Sequence, residues 1–253
     1  MILDSFQLHG KVAIVTGCDT GLGQGMAVAL AQAGADVLGV NVVAPTDTHQ
    51  RIEALGRGFL DLRANLADIG CIEGLLAQAR DFRGHVDILV NNAGIIRRED
   101  AIKFTEKDWD DVMDINLKSV FFFSQAAARQ FISQGHGGKI INVASMLSFQ
   151  GGVRVPSYTA SKSGVMGITR LMANEWAGHG INVNAIAPGY MATNNTAALR
   201  ADAGRNSAIL ERIPAGRWGV PEDLGGPVVF LASQASNYIN GYTIAVDGGW
   251  LAR

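Results

Sequence analysis

The chain contains 253 residues, of which 48% are hydrophobic and 17% charged, with a formal net charge of -2. This length and hydrophobic content suit a globular chain with a large buried core and exclude intrinsic disorder. The slightly acidic balance excludes the basic surface with which proteins attract nucleic acid or anionic lipid.

The sequence carries none of the usual marks of secretion, membrane insertion or metal binding. No apolar run approaches the ~18 residues that a membrane span needs. Residues 1–11 contain an acidic residue and lack the basic segment that opens a signal peptide. Cys18 and Cys71 are isolated cysteines and the five histidines are scattered. We therefore expect a cytoplasmic protein without a metal site, in a compartment that keeps both thiols reduced.

The first predicted elements are a strand over 11–16, a glycine-rich turn over 17–23 and a helix of small residues that ends at Gly34. This order is typical of the first half of a nucleotide-binding βαβ unit. The glycines let the backbone approach a pyrophosphate, and the helix N-terminus favours its negative charge. The residues expected to contact a dinucleotide here are Gly17, Asp19, Thr20, Gly21, Leu22 and Gly23.

The second strand, 35–40, leads to Asn41. A dinucleotide-binding unit places at this point the residue that contacts the adenosine ribose. Asparagine can bond a ribose 2′-hydroxyl, and neither the glycine turn nor the end of this strand carries a Lys or Arg to hold a 2′-phosphate. The sequence therefore favours NAD over NADP as the cofactor.

The remaining elements continue the alternation of strands and helices. In chain order they are a strand over 58–62, a helix over 68–82, a strand over 86–91, a long helix from 105 to 131, a strand over 139–143, a helix over 157–177, a strand over 181–187, a helix from 221 and a strand over 242–246. Seven strands alternating with helices predict one α/β domain over 1–253, a Rossmann-type doubly wound parallel sheet with helices on both faces. Weak periodicity over about 190–219 indicates a mobile cover over a site.

Two features of the long helix stand out. Thr105 followed by Asp108 resembles a capping box with Asp in place of Glu or Gln. Asn116 lies in the helix interior although asparagine competes for backbone hydrogen bonds. It is either an exposed polar position or a residue with a functional role.

The stretch 145–162 brings together Ser145, Tyr158 and Lys162. Tyr158 and Lys162 are four residues apart at the start of a helix, so their side chains leave the same face. A free tyrosine titrates near pH ~10, and we expect the adjacent cation to lower the pKa of Tyr158 so that it can act as a general base. Ser145 follows an apolar strand, where its hydroxyl can hold a carbonyl or alcohol oxygen.

Together these residues resemble the short-chain dehydrogenase/reductase family over nearly the whole chain. The similarity rests on motifs in the family's order and spacing, namely Thr16-Gly17-x-x-x-Gly21-x-Gly23, Asn91-Asn92-Ala93-Gly94, Asn116, Ser145, Tyr158-x-x-x-Lys162 and Pro188-Gly189. The departures are Asn41 in place of the usual acidic residue and Asn65 where the family often has Asp.

The resemblance implies a role for each matching residue. Tyr158 would be the general acid/base, and Lys162 would lower its pKa and hold the nicotinamide ribose. Ser145 would bind the substrate oxygen, while Asn116 would position a water that links Lys162 to solvent. The further implied cofactor contacts are Asn65, Leu66, Asn92, Ala93, Gly94, Pro188, Gly189, Met191 and Thr193.

Within the family, the chain is similar to bacterial enzymes that act on a keto-deoxy sugar acid in pectin and hexuronate breakdown. The similar stretches include GCDTGLGQGMA, ASMLSFQGG, PGYMATNN, RIPAGRWG and DGGWLAR. They imply an NAD(H)-dependent reaction on such a sugar acid. Dehydrogenation of another hydroxy acid, a polyol or a steroid stays open, as do NAD binding without turnover and a structural oligomer module.

A sugar-acid substrate needs a cation for its carboxylate, and arginine suits that geometry best. Arg154 is favoured because its loop leads into the tyrosine helix; Arg97 and Arg98 are the alternative. Any of these arginines could instead form a surface ion pair. The substrate hydroxyls are expected to contact Gln150, Asn194, Asn195 and Trp218.

Members of the family are usually tetramers, which implies a homotetramer here. The helices around Asn116 and Tyr158 carry apolar residues on more than one face: Val120, Phe121, Phe122, Val165, Met166 and Ile168. A helix that is apolar all round is buried on several sides, either under a symmetry mate or under the chain's own loops.

Overall fold

Seven parallel strands form one sheet in the computed structural model, which describes residues 1–253. The strands are β1 (Val12–Thr16), β2 (Asp36–Asn41), β3 (Phe59–Arg63), β4 (Ile88–Asn91), β5 (Gly138–Val143), β6 (Ile181–Pro188) and β7 (Thr243–Val246). Their order in the sheet is β3-β2-β1-β4-β5-β6-β7. The direction of winding reverses between β1 and β4, where doubly wound sheets bind their ligands. The predicted fold class is confirmed.

Nine α-helices connect and cover the strands. They are α1 (Gly21–Gln32), α2 (Thr46–Ala54), α3 (Ile72–Arg83), α4 (Glu106–Met113), α5 (Ser119–Gln134), α6 (Pro156–Trp176), α7 (Ala197–Ala201), α8 (Ala203–Arg212) and α9 (Gly225–Ala232). None of them combines the length and the apolar character that a membrane crossing requires. No three His, Cys, Asp or Glu side chains are grouped so that they could hold a metal ion.

The sheet separates two hydrophobic cores because alternate residues of each strand face opposite sides. Val12 and Ile14 of β1 face one core, in which the sheet packs against α3, α5 and α6. Ala13 and Val15 face the other core, in which it packs against α1 and α9. Because both faces are covered, the central strands are continuous apolar runs, as parallel sheets require.

A chain of polar side chains crosses the first of these cores. Asn91 on β4 donates to Ser124 of α5 and to Asn142 of β5, both at 2.9 Å, and Asn142 donates to Thr169 of α6 at 2.9 Å. All four residues are buried. Each bond satisfies a polar group that would otherwise be costly to bury, so the network ties the sheet to both helices in one arrangement.

The helix predicted from 105 to 131 is two helices joined by a π-helical turn, Asp114–Lys118, with Asn116 at its centre. Thr105 caps α4 as predicted, accepting from the Asp108 amide at 3.1 Å. Single π turns are typical of functional sites. The uninterrupted helix expected from the sequence was therefore wrong at Asn116.

The segment predicted to cover the site contains more regular structure than its sequence indicates. It includes α7 and α8, and its two ends are joined at the base, where Met191 and Gly219 form an isolated parallel bridge. A small apolar cluster packs Ile209 and Ile213 of the cover against Met146 and Trp250. The cover is thus a closed loop packed over the carboxyl end of the sheet.

Candidate active site

The glycine turn after β1 is shaped for close backbone approach. Gly17 and Gly21 have positive φ angles of 64° and 60°, a conformation that glycine adopts readily. A side chain at Gly23 would overlap the carbonyl oxygen of Gly17. Thr20, at the N-cap of α1, forms no side-chain cap, so the first amides of that helix remain able to bind an anion.

The loop after β4 is fixed against this turn by hydrogen bonds. The Asn92 side chain donates to the carbonyls of Thr16 and Gly17 at 2.9 and 2.8 Å. The Thr16 hydroxyl accepts from the amides of Asn92 and Ala93 at 3.0 and 2.9 Å. Thr16, which the sequence placed only within a motif, therefore positions the two loops that border the cofactor site.

Asn41 does not lie where a ribose could reach its side chain. It is 3% exposed, and its Oδ1 accepts from the Cys18 amide at 2.8 Å. Its role as a direct ribose ligand was wrong because the side chain points beneath the glycine turn and supports it. Burial also raises the pKa of the Cys18 thiol to about 12, which leaves that thiol unreactive.

Two residues on β3 border the end of β2 and were not identified from the sequence. Arg63 pairs in register with Asn41, and its guanidinium donates to the Val42 carbonyl at 2.8 Å. It also lies 3.3 Å from Asp61, whose second carboxylate oxygen is buried without a partner. The register of β2 and β3 places this pair beside the end of β2, where the adenosine ribose of a cofactor is expected. The sequence does not show this register, so the pair could not be predicted.

The other predicted cofactor residues surround the same edge of the sheet. Asn65 accepts from the Ala67 amide at 3.1 Å in a local turn, and the Leu66 side chain is in the core at 6% exposure, so Leu66 can offer only backbone atoms. Gly189, after Pro188, packs against Asp247, and Thr193 lies beside Gly21. Met191 is buried at the base of the cover.

Tyr158 and Lys162 lie on one face of α6, as their spacing predicts. The Lys162 ammonium is 5.7 Å from the centre of the Tyr158 ring and donates to the Val143 carbonyl at the end of β5. Ser145 follows the same strand, and its hydroxyl accepts from the Leu147 amide at 3.1 Å. The serine, tyrosine and lysine therefore meet beside the carboxyl end of β5.

The pKa of Tyr158 is raised, contrary to the expected lowering by Lys162. Burial raises this pKa, while the Ser145 hydroxyl and the Arg98 guanidinium act in the opposite direction. Burial lowers the pKa of Lys162 to about 8. The Lys162 ammonium, held by the Val143 carbonyl and 5.7 Å from the centre of the tyrosine ring, does not offset the effect of burial on the Tyr158 pKa.

Asn116 is fully buried, and its side chain binds both the amide and the carbonyl of Ile95. Its Oδ1 accepts from the Ile95 amide at 2.8 Å and its Nδ2 donates to the Ile95 carbonyl at 2.9 Å. Gly94 packs against the same amide group. The side chain thus anchors the loop after β4, and its predicted role in positioning water stays a prediction.

The arginines near the site differ in their partners. Arg154 lies 3.0 Å from Asp100 and 3.5 Å from Glu99, and Arg97 lies 3.4 Å from Asp108. Both guanidiniums are thus already paired with carboxylates. This argues against Arg154 and Arg97 as carboxylate ligands.

Arg98 forms no ion pair. It donates to the Asn195 carbonyl of the cover at 3.2 Å, and its positive charge reaches Tyr158, whose pKa it lowers. Which of the three arginines lacks an acidic partner depends on how the loops meet, so the sequence could not distinguish them.

Aromatic side chains connect the cover to the residues after β7. The Tyr190 ring lies 5.4 Å from Trp218 and 4.7 Å from Trp250. Trp218 donates to Asn206 at 2.7 Å, and Gln150 accepts from Trp250 at 3.2 Å. Gln150 and Trp218 thus contact this aromatic cluster, and Asn195 meets Arg98 through its backbone. Their predicted contacts with the substrate stay a prediction. Tyr190 and Trp250 were not identified from the sequence.

This site fits a nicotinamide dinucleotide. The glycine turn packs closely on itself at Gly23, and the uncapped amides of α1 offer donors to a pyrophosphate. Tyr158, Lys162 and Ser145 lie across the switch point, where the reactive end of such a cofactor would lie.

The chain is similar in sequence to known dehydrogenases and reductases. Residues 17–251 match the family model described as Enoyl-(Acyl carrier protein) reductase. A 2-dehydro-3-deoxy-D-gluconate 5-dehydrogenase from Escherichia coli (strain K12) is 73% identical, and the alignment covers 100% of both chains. The chain belongs to the short-chain dehydrogenase/reductase family.

Solved members of the short-chain dehydrogenase/reductase family share the whole fold. A protein from Agrobacterium tumefaciens with bound NADP is 55% identical, with a TM-score of 0.93 over 99% of this chain and 100% of that one. A gluconate 5-dehydrogenase from Burkholderia cenocepacia in complex with NADP and tartrate is 37% identical, with a TM-score of 0.94 over 100% of both chains. The predicted family is therefore confirmed.

Proposed function

We propose that the protein is an NAD(H)-dependent oxidoreductase that interconverts 2-keto-3-deoxy-D-gluconate and its 2,5-diketo form in pectin and hexuronate catabolism. The observation that carries this proposal is Arg98, a guanidinium without an acidic partner whose charge reaches the catalytic tyrosine. A substrate that carries both a carboxylate and a reacting carbonyl satisfies both groups, the carboxylate at Arg98 and the carbonyl oxygen at Tyr158. The name of the 73% identical relative supports the same substrate.

The chain's own residues supply the proton and the orientation. The Tyr158 hydroxyl gives a proton to the substrate oxygen during reduction and takes it back during oxidation. The Ser145 hydroxyl donates a hydrogen bond to the same oxygen and stabilises the charge that develops on it. Lys162, buried behind the tyrosine, would hold the cofactor ribose. When bound, the cofactor supplies or accepts the hydride at the carbon that bears this oxygen.

Arg98 would bind the substrate carboxylate, because a guanidinium and a carboxylate form paired charge-assisted hydrogen bonds. Losing one partner of such a contact costs about 1.5–3 kcal/mol, so Arg98→Gln should lower kcat/KM for the sugar acid by about ten- to a hundredfold. Arg205, in α8 of the same cover and also without an ion pair, is the matched control, and Arg205→Gln should have no effect. Equal loss on a neutral ketone analogue would remove Arg98 from this role.

NAD(H) is the cofactor we propose, since the glycine turn carries Asp19 and no Lys or Arg, and Asp61 offsets the charge of Arg63. The solved relatives with NADP point to the phosphorylated form as the alternative. Arg63 is then the residue that would meet the 2′-phosphate. We expect a higher kcat/KM with NADH than with NADPH, and weaker NADPH binding after Arg63→Gln with NADH binding unchanged. A higher kcat/KM with NADPH than with NADH would assign NADP(H) as the cofactor.

The experiment that tests the substrate is cofactor fluorescence with a panel of ketones and alcohols. The panel contains 2-keto-3-deoxy-D-gluconate, gluconate, a neutral polyol and a steroid. The proposal expects the highest kcat/KM with the keto-deoxy sugar acid. A higher value with the polyol or steroid would assign another substrate class, and cofactor binding without turnover of any compound would favour a non-catalytic sensor.

We further propose a cytoplasmic homotetramer. Two unpaired cysteines, Cys18 and Cys71, suit a reducing compartment. Exposed apolar residues on neighbouring helices, Phe122 and Ile132 of α5 and Leu171 of α6, support assembly, since they are 37%, 45% and 47% exposed.

A further inference from the structure

Arg154 is the one residue other than glycine with a positive backbone φ, at 63°. A residue with a Cβ is disfavoured in this region, so the conformation persists only where surrounding contacts hold it. Arg154 lies two residues before Pro156, the first residue of α6, which carries Tyr158. The strained position is therefore at the entrance to the helix of the catalytic tyrosine.

Three contacts join Arg154 to two neighbouring residues of the loop after β4. Its carbonyl accepts from the Glu99 amide at 3.1 Å. Its Nε lies 3.0 Å from an Asp100 carboxylate oxygen and its Nη2 lies 3.5 Å from a Glu99 carboxylate oxygen. Both the backbone and the side chain of Arg154 thus contact the same short segment.

The loop that Arg154 contacts has neither helical nor strand structure over 92–100. Asn116 binds the backbone of Ile95 near its start, and Arg154 binds Glu99 near its end. Arg98 lies between these two fixed points, and its guanidinium has only the Asn195 carbonyl as a partner. The placement of Arg98 is therefore determined by contacts made on either side of it.

We propose that Arg154 is a positioning residue that clamps the segment 95–100 to the entrance of α6, and so sets where the Arg98 guanidinium lies relative to the Tyr158 hydroxyl. The inference rests on the proposed function, in which Arg98 binds the substrate carboxylate. If Arg154 acts as a clamp, Glu99 and Asp100 are as necessary as Arg154 for the placement of Arg98. If Arg154 bound the substrate directly, these two acidic residues would instead compete with the substrate for its guanidinium.

The kinetic test compares Arg154→Ala, the double variant Glu99→Gln/Asp100→Asn, and the variant with all three changes. Exposed ion pairs contribute up to about 1 kcal/mol each. Each of the first two variants should therefore raise KM for the keto-deoxy sugar acid by about three- to tenfold, with a smaller change in kcat. The triple variant should be no worse than either, because all three break the same contacts. Arg154→Lys should restore part of the loss.

A matched control is the exposed pair of Arg51 and Asp47, 2.9 Å apart on α2. Arg51→Ala and Asp47→Asn should leave KM unchanged. A raised KM in Arg154→Ala together with an unchanged or lower KM in Glu99→Gln/Asp100→Asn would show direct substrate binding and overturn the clamp.

Amide hydrogen exchange gives a readout that does not depend on turnover. The clamp predicts faster exchange over 95–100, the Glu99 amide included, in Arg154→Ala and in the double acidic variant, with the glycine turn 17–23 unchanged. Unchanged exchange over 95–100 would overturn the clamp whatever the substrate. Faster exchange in these variants, with no turnover of the sugar acid by the unaltered protein, would support the clamp and refute the proposed function.

Discussion

At the hydroxyl of Tyr158, burial and positive charge act in opposite directions. Burial raises the pKa, and Arg98 and Ser145 lower it by less. Oxidation of an alcohol needs the deprotonated phenolate, while reduction of a ketone needs the neutral phenol. We therefore expect kcat/KM for oxidation to rise with pH through the neutral and alkaline range, and kcat/KM for reduction to fall only at alkaline pH.

Arg98→Gln removes a charge that favours the phenolate, so the rising limb for oxidation should move to higher pH. The measurement is a pair of pH profiles, one in each direction, for the unaltered protein and the variant. A shift of the rising limb to lower pH would contradict the electrostatic role of Arg98.

Replacement of Tyr158 by phenylalanine tests the proton transfer itself. Positioned general acid/base groups contribute about 10²–10⁴ in rate, so Tyr158→Phe should lower kcat by at least about a hundredfold while the cofactor still binds. Tyr190→Phe is the matched control, since Tyr190 contacts Trp218 and Trp250 through its ring and should retain activity. Near-normal turnover by Tyr158→Phe would assign the proton to another group.

Asn41 supports the glycine turn and does not select between cofactors. Asn41→Ala leaves the Cys18 amide without its partner, which costs about 1–3 kcal/mol for a buried group. We expect weaker binding of NAD and of NADP by similar factors, measured by titration of cofactor fluorescence. A loss confined to NAD would restore the direct ribose contact expected from the sequence.

Among the elements, those with a strong apolar pattern could be predicted and those with a weak one could not. The strand β1 is a short apolar run, VAIVT, that is buried along its whole length, and such a run can be recognised in the sequence. In contrast, α2 buries only Thr48 and Ile52, and α8 buries only Ile209. Both helices are short and mostly polar, so no apolar run marks them in the sequence, and neither was predicted.

Some residues of the candidate site could be predicted from local motifs, and others could not. Ser145, Tyr158 and Lys162 are recognisable because their chemistry depends on local spacing and on a motif. The partners of Arg63, Arg98 and Arg154 depend on contacts with other loops or on strand register, which no local pattern contains. The buried orientation of Asn41 could not be predicted either, since the end of a strand does not show which face a ligand uses.

Arg217 and Asp223 form an ion pair at the base of the cover. Asp223 accepts two hydrogen bonds from Arg217, at 2.7 and 2.8 Å, and one from the Val220 amide at 2.8 Å. Arg217 and that amide lower the pKa of Asp223 from 3.8 to about 2. Because the folded-state pKa is depressed, the stabilisation is fully present above about pH 3.8 and is lost as the pH falls through about 2.

Asp223→Asn should therefore destabilise the protein at neutral pH. The loss of unfolding free energy should be only about 1 kcal/mol, because Arg217 is half-exposed and solvent screens its charge. The difference in unfolding free energy between the two proteins, measured with urea, should shrink below about pH 4. A constant difference over this range would show that the carboxylate charge is not involved.

For the whole molecule, the predicted assembly depends on apolar side chains that the chain leaves exposed. Val120 and Val165 of the predicted set are buried within the chain, whereas Phe122 stays 37% exposed. A groove between α5 and α6, lined in part by Phe121, Ile132, Leu171 and Trp176, lies on the same side. This surface is the one we expect a second copy to cover.

Light scattering should give a mass about four times the 26.8 kDa of one chain. Leu171→Glu places a charge in the groove and should produce smaller species. Leu55→Glu, on an unrelated surface and 41% exposed against 47% for Leu171, should not. A single-chain mass for the unaltered protein at micromolar concentration would refute assembly.

The polar chain of Asn91, Ser124, Asn142 and Thr169 constrains how this core can change by mutation. Replacing Asn142 alone by an apolar residue would leave the Asn91 side chain bonded only to Ser124 and the Thr169 hydroxyl bonded only to the Val165 carbonyl, and each hydrogen bond that is lost contributes about 0.5–1.5 kcal/mol. Replacing all of them with apolar residues of matching shape can be nearly neutral. The four positions are therefore strongly epistatic, and a path of single substitutions between the polar and apolar forms must pass through destabilised intermediates.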